Sequence, residues 1–181
     1  MNIVKTSIPD VLIFEPIIHG DDRGYFMESF RLSHFAEVDP SINFVQDNQS
    51  KSKKGTLRGL HYQLQFPQGK LVRVLSGEVF DVVVDIRKGS ENFGKWVGTV
   101  LSGENKKQLW APAGFAHGFY VLSDFAELAY KCTEYYHPED DYSLLWNDED
   151  IGIDWPIMES DPLLSDKDKN ANSFANASLF Q

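Results

Sequence analysis

Short apolar runs separated by Gly, Pro, Ser and Asp dominate the chain after residue 57. Two β-rich stretches, 70–75 and 79–87, are divided by a short turn that contains Gly77. Strands joined by so short a glycine-containing turn predict a β-hairpin. The same pattern of apolar residues and punctuation predicts further strands at 96–101, 107–110, 118–122 and 126–135.

Helical patterns are scarce. Only 32–38, with Ser33 as a candidate N-cap, and 162–169 have helical character, and no repeat of fixed period is present. Many short strands without long helices between them favour an all-β sandwich or barrel. We expect a single domain over residues 1–181 with its core at about 14–168, and a loosely held tail at 170–181, because that tail is rich in Asn, Ala and Ser.

Period-two alternation places ionisable groups on one face of two predicted strands. In the stretch LHYQL, His61 and Gln63 share a face, and in the strand after Gly77, Asp81 and Asp85 share a face with valines. The opposite face of each strand is apolar. Burying an acidic side chain in such a strand costs free energy unless the acid is paired. The pattern therefore predicts one core-forming sheet face, and another where a barrel mouth forms a ligand site.

Composition narrows the class of protein. The 181 residues are 42% hydrophobic and 24% charged, as in one globular domain, and the early apolar run 11–14 is too short to span a membrane. A net charge of −10 argues against nucleic-acid binding, although a few basic residues in one cleft still suffice for a single nucleotide. Cys132 is the only cysteine, so no internal disulfide forms, which fits a reducing cytoplasm.

Metal and cofactor chemistry find little support in the sequence. No two of the five histidines lie two, three or four residues apart, and a His-x-His metal pair is replaced by His61-Tyr-Gln63. There is no glycine-rich phosphate loop and no Gly-x-Ser-x-Gly elbow. What remains is metal-free acid–base chemistry by His, Tyr, Lys and Asp.

Spacing alone leaves the role of each candidate residue open. A strand histidine such as His61 or His117 is more often a hydrogen-bonded structural residue than a catalyst. Tyr130 is equally well explained as a core aromatic residue, and Lys70 and Arg58 as solvated charges.

A resemblance resolves this ambiguity. Several segments, in this order along the chain, resemble the signature of the dTDP-4-dehydrorhamnose 3,5-epimerase family, over about residues 14–168. They are 22–28 (DRGYFME), 44–48 (FVQDN), 55–63 (GTLRGLHYQ), 68–73 (QGKLVR), 77–87 (GEVFDVVVDIR), 112–119 (PAGFAHGF), 130–136 (YKCTEYY) and 164–168 (LSDKD).

The resemblance implies a cupin-like β-jelly roll, usually a homodimer, that uses no metal or other cofactor. Its implied substrate is a nucleotide-linked 4-keto sugar, dTDP-4-dehydro-6-deoxy-D-glucose, inverted at C3 and C5 by proton transfer through an enolate. By position, His61 resembles the general base and Asp168 the carboxylate that orients it. Lys70 resembles the group that stabilises the enolate oxygen, and Tyr130 the acid on the opposite face of the sugar.

The resemblance also implies the substrate-binding positions. Supporting and substrate-contacting residues are expected at Arg58, Asp81, His117, Asp141 and Lys167. Nucleotide-holding residues, some of which reach the partner subunit's site, are expected at Arg23, Phe26, Glu28, Gln46, Asp47 and Asn48. Asp141 departs from the family pattern, in which a Glu is expected.

Three alternatives stay open at this stage. The nearest is a relative that inverts only C3 or only C5 of a similar keto sugar. The second is a catalytically silent jelly roll that binds a carbohydrate or nucleotide, and a pure binder has no need of an acid–base set. The third is a metal-dependent cupin oxygenase or isomerase.

Overall fold

The computed structural model of the chain describes residues 1–157 and 161–181. Within that part, thirteen strands and a few short helical turns form. The strands are β1 (Asn2–Lys5), β2 (Leu12–Glu15), β3 (Ile18–Asp21), β4 (Gly24–Met27), β5 (Gln46–Lys53), β6 (Leu57–Gln63), β7 (Lys70–Ser76), β8 (Glu78–Asp85), β9 (Trp96–Ser102), β10 (Gln108–Ala111), β11 (Phe115–Val121), β12 (Phe125–Cys132) and β13 (Asp141–Ser143). One short α-helix, α1 (Asp166–Lys169), and 3-10 turns at Leu32–His34, Pro138–Asp140 and Phe174–Asn176 complete the elements.

Two antiparallel sheets carry the fold. The first sheet has the order β1-β2-β10-β7-β12-β5, and the second has the order β13-β6-β11-β8-β9. A core of aliphatic and aromatic side chains from both sheets, including Val72 of β7 and Val83 of β8, fills the space between them. Strands β3 and β4 pair only with each other, as a separate exposed hairpin. This architecture confirms the prediction of an all-β, cupin-like jelly roll.

The predicted hairpin of 70–75 and 79–87 is wrong. Strand β7 pairs with β10 and β12 in the first sheet, whereas β8 pairs with β9 and β11 in the second. The turn between them is a crossing from one sheet to the other. At Gly77 φ is +78°, and a Cβ there would lie 1.9 Å from the carbonyl oxygen of Phe125, so only glycine fits. A glycine-containing turn between two predicted strands therefore does not show whether the strands pair with each other or belong to different sheets.

Both faces of the second sheet are buried. Val79 and Val83 of β8 point into the core between the sheets, while Val82 and Val84 point outward into a second core. The second core is closed by the C-terminal part of the chain, including Trp155. This double burial explains why β8 is so rich in valine, and it leaves the inward face free to carry Asp81 and Asp85 as predicted.

The C-terminal tail is not loosely held. Leu179 is 8% exposed in the second core, and the hydroxyl of Tyr62 donates a hydrogen bond to the carbonyl of Ser178 at 2.7 Å. Phe180 forms a parallel bridge with Arg87. The prediction from the Asn-, Ala- and Ser-rich composition was wrong because a few apolar residues suffice to cover the outer face of the sheet.

The predicted helices are shorter than expected. In place of 32–38 there is one 3-10 turn, Leu32–His34, whose N-cap is Arg31, and the side chain of Ser33 does not cap it. In place of 162–169 there is α1, which is capped by Ser165.

We predict that Leu179→Ala lowers the free energy of unfolding by about 2 kcal/mol, because the truncation leaves a cavity in the second core. Urea unfolding measures this loss. Leu32→Ala is the matched control, since Leu32 is 45% exposed and its truncation opens no cavity. Equal, small losses in both variants would show that the tail contributes little to stability.

Candidate active site

The inward side chains meet where β5 and β12 of the first sheet face β6 and β13 of the second. Within the first sheet, Tyr130 lies opposite Asn48, and Cys132 lies opposite both Gln46 and Lys70. In the second sheet, His117 lies opposite His61, and Asp141 lies opposite Gln63. The space between the sheets therefore brings together groups that lie far apart in the sequence, from Gln46 to Asp141.

His61 and Asp168 form a tight pair. The Nε2 atom of His61 lies 2.6 Å from Oδ1 of Asp168, and Asp168 is 2% exposed. Burial by itself raises the pKa of Asp168, but hydrogen bonds from His61 and Ser165 outweigh it, so the pKa lies below its usual value. Asp168 is therefore an anion at neutral pH. With Nε2–H donating to it, Nδ1 of His61 keeps the lone pair that accepts a proton.

A close backbone approach sets the position of this pair. At Gly59, φ is +122°, and an added Cβ would lie 2.5 Å from Cα of Gly118 in the neighbouring strand β11. The backbone of Gly59 also lowers the pKa of the Asp168 carboxylate. The register between β6 and β11 shifts between His117 and Phe119, and α1 contacts β6.

His117 and Asp81 form a second histidine–carboxylate pair. Their Nε2 and Oδ1 atoms are 2.9 Å apart, and Asp81 is completely buried. This contact satisfies the expectation that an acid among the valines of β8 is paired. The other oxygen, Oδ2, is buried and has no hydrogen-bond partner within the described part of the chain.

Lys70 is partly buried at the start of β7, on the side of the sheet that faces the second sheet. Its Nζ donates to the carbonyl oxygen of His61 at 3.3 Å. Burial lowers the pKa of Lys70, and the acidic groups of Cys132 and Asp141 nearby act in the opposite direction. The amine is thus held next to β6, the strand that carries His61, where its positive charge can stabilise a nearby anion.

Tyr130 projects from the first sheet towards the same space. Its ring packs partly against the core between the sheets, so it is a core aromatic residue as well as a candidate acid. Burial raises the pKa of Tyr130, and Arg58 nearby partly offsets this. A phenol with a raised pKa remains protonated at neutral pH and is available as a proton donor. Arg58 itself donates from Nε to Oγ of Ser52 at 3.0 Å.

A polar rim surrounds the opening of the site. Asp141 forms an ion pair with Lys167 of α1, and its Oδ2 also accepts a hydrogen bond from the hydroxyl of Tyr136 at 3.0 Å. Gln46 accepts the backbone N–H of Tyr136 at 2.9 Å and donates to Oδ1 of Asn48 at 3.0 Å. The spacing of residues in the sequence does not predict that Tyr136 contacts Asp141 and Gln46, and only the folded structure shows it.

Gln63 anchors the loop that carries Tyr136. Its amide donates to the carbonyls of Phe66 at 2.6 Å and Tyr135 at 3.1 Å, and its oxygen accepts the N–H of His137 at 2.9 Å. Gln63 is 3% exposed. The alternation in LHYQL places it on the inward face correctly, but only the structure shows that it ties the strand of His61 to the rim.

Four predicted site residues lie away from this cluster within one chain. Arg23 and Phe26 are on the exposed β3–β4 hairpin, where Arg23 pairs with Asp21. Glu28 pairs with Arg31 just beyond the hairpin. Asp47 points away from the space between the sheets and binds Lys131 at 2.9 Å.

Two features of residues 1–157 and 161–181 concern metal-binding groups and membrane-spanning helices. No three His, Cys, Asp or Glu side chains there form a group able to hold a metal ion. None of the helices in the same residues is long and apolar enough to cross a bilayer.

Comparison with known proteins agrees with this arrangement. The family model for dTDP-4-dehydrorhamnose 3,5-epimerase matches residues 5–176. A dTDP-4-dehydrorhamnose 3,5-epimerase of Shigella flexneri is 60% identical over 99% of both chains. The crystal structure of dTDP-6-deoxy-D-glucose-3,5-epimerase RmlC from Legionella pneumophila, in complex with dTDP-4-keto-L-rhamnose, is 55% identical. It superposes with a TM-score of 0.96 and covers 99% of this chain and 97% of that one.

A solved structure with a narrower activity also matches. ChmJ, a 3'-monoepimerase from Streptomyces bikiniensis in complex with dTDP-quinovose, is 36% identical with a TM-score of 0.87, covering 94% of this chain and 86% of that one. The resemblance in the sequence motifs is thus confirmed over nearly the whole length. The chain belongs to the dTDP-4-dehydrorhamnose 3,5-epimerase family.

Proposed function

We propose that the chain converts dTDP-4-dehydro-6-deoxy-D-glucose to dTDP-4-dehydro-L-rhamnose by inverting C3 and C5. The observation that carries the proposal is the His61–Asp168 pair, 2.6 Å apart, beside the partly buried amine of Lys70 and across the site from Tyr130. This set supplies a base, an anion-stabilising charge and an acid. A silent binding protein has no use for all three together, which disfavours that alternative.

The C4 ketone makes the hydrogens on C3 and C5 acidic, because the carbanion left behind is an enolate. His61 removes the proton through Nδ1, and Asp168 stabilises the imidazolium that forms. Lys70 places positive charge where the enolate oxygen develops. A single preorganised group of this kind commonly contributes about 3 kcal/mol to transition-state stabilisation.

Inversion needs a proton from the other side of the sugar. His61 belongs to the second sheet and Tyr130 to the first, so a flat ring held between the sheets presents opposite faces to them. Tyr130 donates its phenolic proton to the carbon, and the phenolate then recovers a proton from solvent. His61 releases the proton it removed in the same way, so the enzyme returns to its starting state after each inversion.

Several groups around the opening suit the nucleotide part of the substrate. Arg58 and Lys167 offer positive charge to the diphosphate, and this local charge acts despite the net charge of −10. Gln46 and Asn48 present amide groups to the base or sugar. His117, held by Asp81, supports the bound keto sugar from the second sheet.

We also propose that the active form is a homodimer in which Arg23, Phe26 and Glu28 complete the partner subunit's nucleotide site. The β3–β4 hairpin supports this, because Phe26 of β4 is 71% exposed and Ile18 of β3 is 45% exposed. Apolar side chains on a projecting hairpin are typical of a surface that is covered by another subunit. A single buried cysteine fits a cytoplasmic enzyme.

A single-site epimerase is the second candidate, favoured by the match to the 3'-monoepimerase ChmJ. It uses the same acid–base set on one carbon only. The two candidates differ in the product and not in the residues, so product analysis distinguishes them.

We predict that turnover in D₂O places deuterium at both C3 and C5 of the product, assigned by NMR with protein pretreated with EDTA. In Tyr130→Phe, His61 and Lys70 still form the enolate, so hydrogen exchange should outpace inversion. Tyr142→Phe, on the outer face of the second sheet, is the control and should behave as wild type. Deuterium at C3 alone indicates the single-site enzyme.

Inversion without any deuterium in the product contradicts the two-base mechanism. The EDTA treatment tests metal independence, which is contradicted if EDTA abolishes activity and one divalent ion restores it.

We predict that His61→Ala abolishes detectable turnover and that Asp168→Asn leaves weak activity, because a neutral amide no longer stabilises the imidazolium. The double variant should be no worse than His61→Ala alone, since the two residues act as one unit. Steady-state kinetics measure this. Asp148→Asn is the matched control, a buried carboxylate that accepts backbone N–H groups elsewhere and should change stability but not kcat. Near-normal kcat in His61→Ala would remove the base from the mechanism.

We predict a dimer at micromolar concentration by light scattering, and a roughly tenfold higher KM in Phe26→Ala, because losing a buried aromatic contact at an interface commonly costs more than 1 kcal/mol. Phe125→Ala is the control, since Phe125 is 58% exposed on a different part of the surface. A fully active monomer at that concentration contradicts the shared site.

A further inference from the structure

Ser165 makes two hydrogen bonds to the same residue, in opposite directions. Its Oγ accepts the backbone N–H of Asp168 at 3.1 Å, which caps the first turn of α1. The same hydroxyl donates to Oδ2 of Asp168 at 2.8 Å. Neither the order of the sequence motifs nor the proposed roles of the other residues assigns Ser165 any part in the chemistry.

The hydrogen bond from the Ser165 hydroxyl determines which atom of the His61–Asp168 pair carries the proton between them. A serine hydroxyl has one hydrogen, and here it points at Oδ2, so Oδ2 acts as an acceptor and carries no proton. The other oxygen, Oδ1, faces Nε2 of His61 at 2.6 Å. Because the two oxygens bind different partners, the carboxylate is fixed in rotation about its Cβ–Cγ bond.

We propose that Ser165 is a positioning residue, which holds the Asp168 carboxylate as an anion with Oδ1 turned to His61. His61 is thereby kept in the Nε2–H tautomer, with the lone pair of Nδ1 facing the site. The inference rests on the proposed function only for its kinetic readout, because the tautomer of His61 is a property of the resting protein.

An ordinary helix cap is the competing explanation, and the two roles use different parts of the hydroxyl. Capping uses the oxygen as an acceptor, and Asp serves at an N-cap as well as Ser, whereas Ala does not. Positioning uses the hydrogen as a donor. Ser165→Asp keeps an acceptor, loses the donor and brings a second carboxylate towards Oδ2. The two roles therefore predict opposite rankings for Ser165→Asp and Ser165→Ala.

The test measures the imidazole nitrogens of His61 by two-bond ¹H–¹⁵N NMR in the resting protein, and kcat and KM for each variant. We expect Ser165→Thr, which keeps donor and acceptor, to retain the Nε2–H tautomer and near-wild-type kcat. Ser165→Ala should mix the tautomers and lower kcat about tenfold. Ser165→Asp should lose the Nε2–H tautomer and lower kcat about a hundredfold, the scale on which small misplacements of catalytic groups act. KM should change less than kcat in every case.

Ser173 provides the matched control, because it precedes the 3-10 turn Phe174–Asn176 without touching the dyad. Ser173→Ala and Ser173→Asp should leave the His61 spectrum unchanged. Circular dichroism establishes that each variant is folded, and if Ser165→Asp does not fold, the contrast between Thr and Ala decides. An unchanged His61 spectrum in Ser165→Ala and Ser165→Asp overturns the proposal, as does a wild-type protein without the Nε2–H tautomer. Altered spectra without epimerase turnover in wild type would support the positioning role while refuting the proposed function.

Discussion

The outer face of the second sheet has to be covered, and the rest of the structure depends on how this is done. The C-terminal part of the chain packs Trp155 and Leu179 against that face. With the apolar requirement met on the outside, the inward face of the same strands carries ionisable groups such as His61 and Asp81. The covering segment also brings Asp168 to the edge of β6. Stability and catalytic geometry thus have a common origin.

The site separates its titratable groups by environment. Hydrogen bonds keep Asp168 an anion in spite of burial, whereas burial without such bonds keeps Tyr130 protonated. Burial lowers the pKa of Lys70, and the nearby Cys132 and Asp141 act in the opposite direction. Groups whose pKa values are pushed apart in this way are suited to act as base, acid and charge stabiliser at one pH. The arrangement is reached with side chains from both sheets.

Sequence periodicity predicts local facts well and distant ones poorly. Alternation in LHYQL correctly gives the inward face to His61, because the side-chain period of a strand is fixed by its backbone. The partner Asp168 lies 107 positions away, and no spacing rule connects the two. Only the family motifs suggested the pairing. The hairpin predicted at Gly77 is wrong for the same reason, since the residues of a turn do not determine which sheet the next strand joins. Ser165 and Gln63 act through contacts that exist only in the folded chain.

The closing of the second core by the C-terminal segment has a consequence for how the protein is made. Chains emerge from the ribosome N-terminus first, and domains fold as their parts become available. Until the region around Asp168 and Ser178 has emerged, the outer face of the second sheet is uncovered and His61 lacks its carboxylate. A nascent chain thus keeps the outer face of its valine-rich strands exposed until this segment has emerged. A chain that stops near residue 160 would lack Leu179 and so leave the apolar outer face of this sheet less well covered, and exposed apolar surface is what makes such chains prone to aggregate.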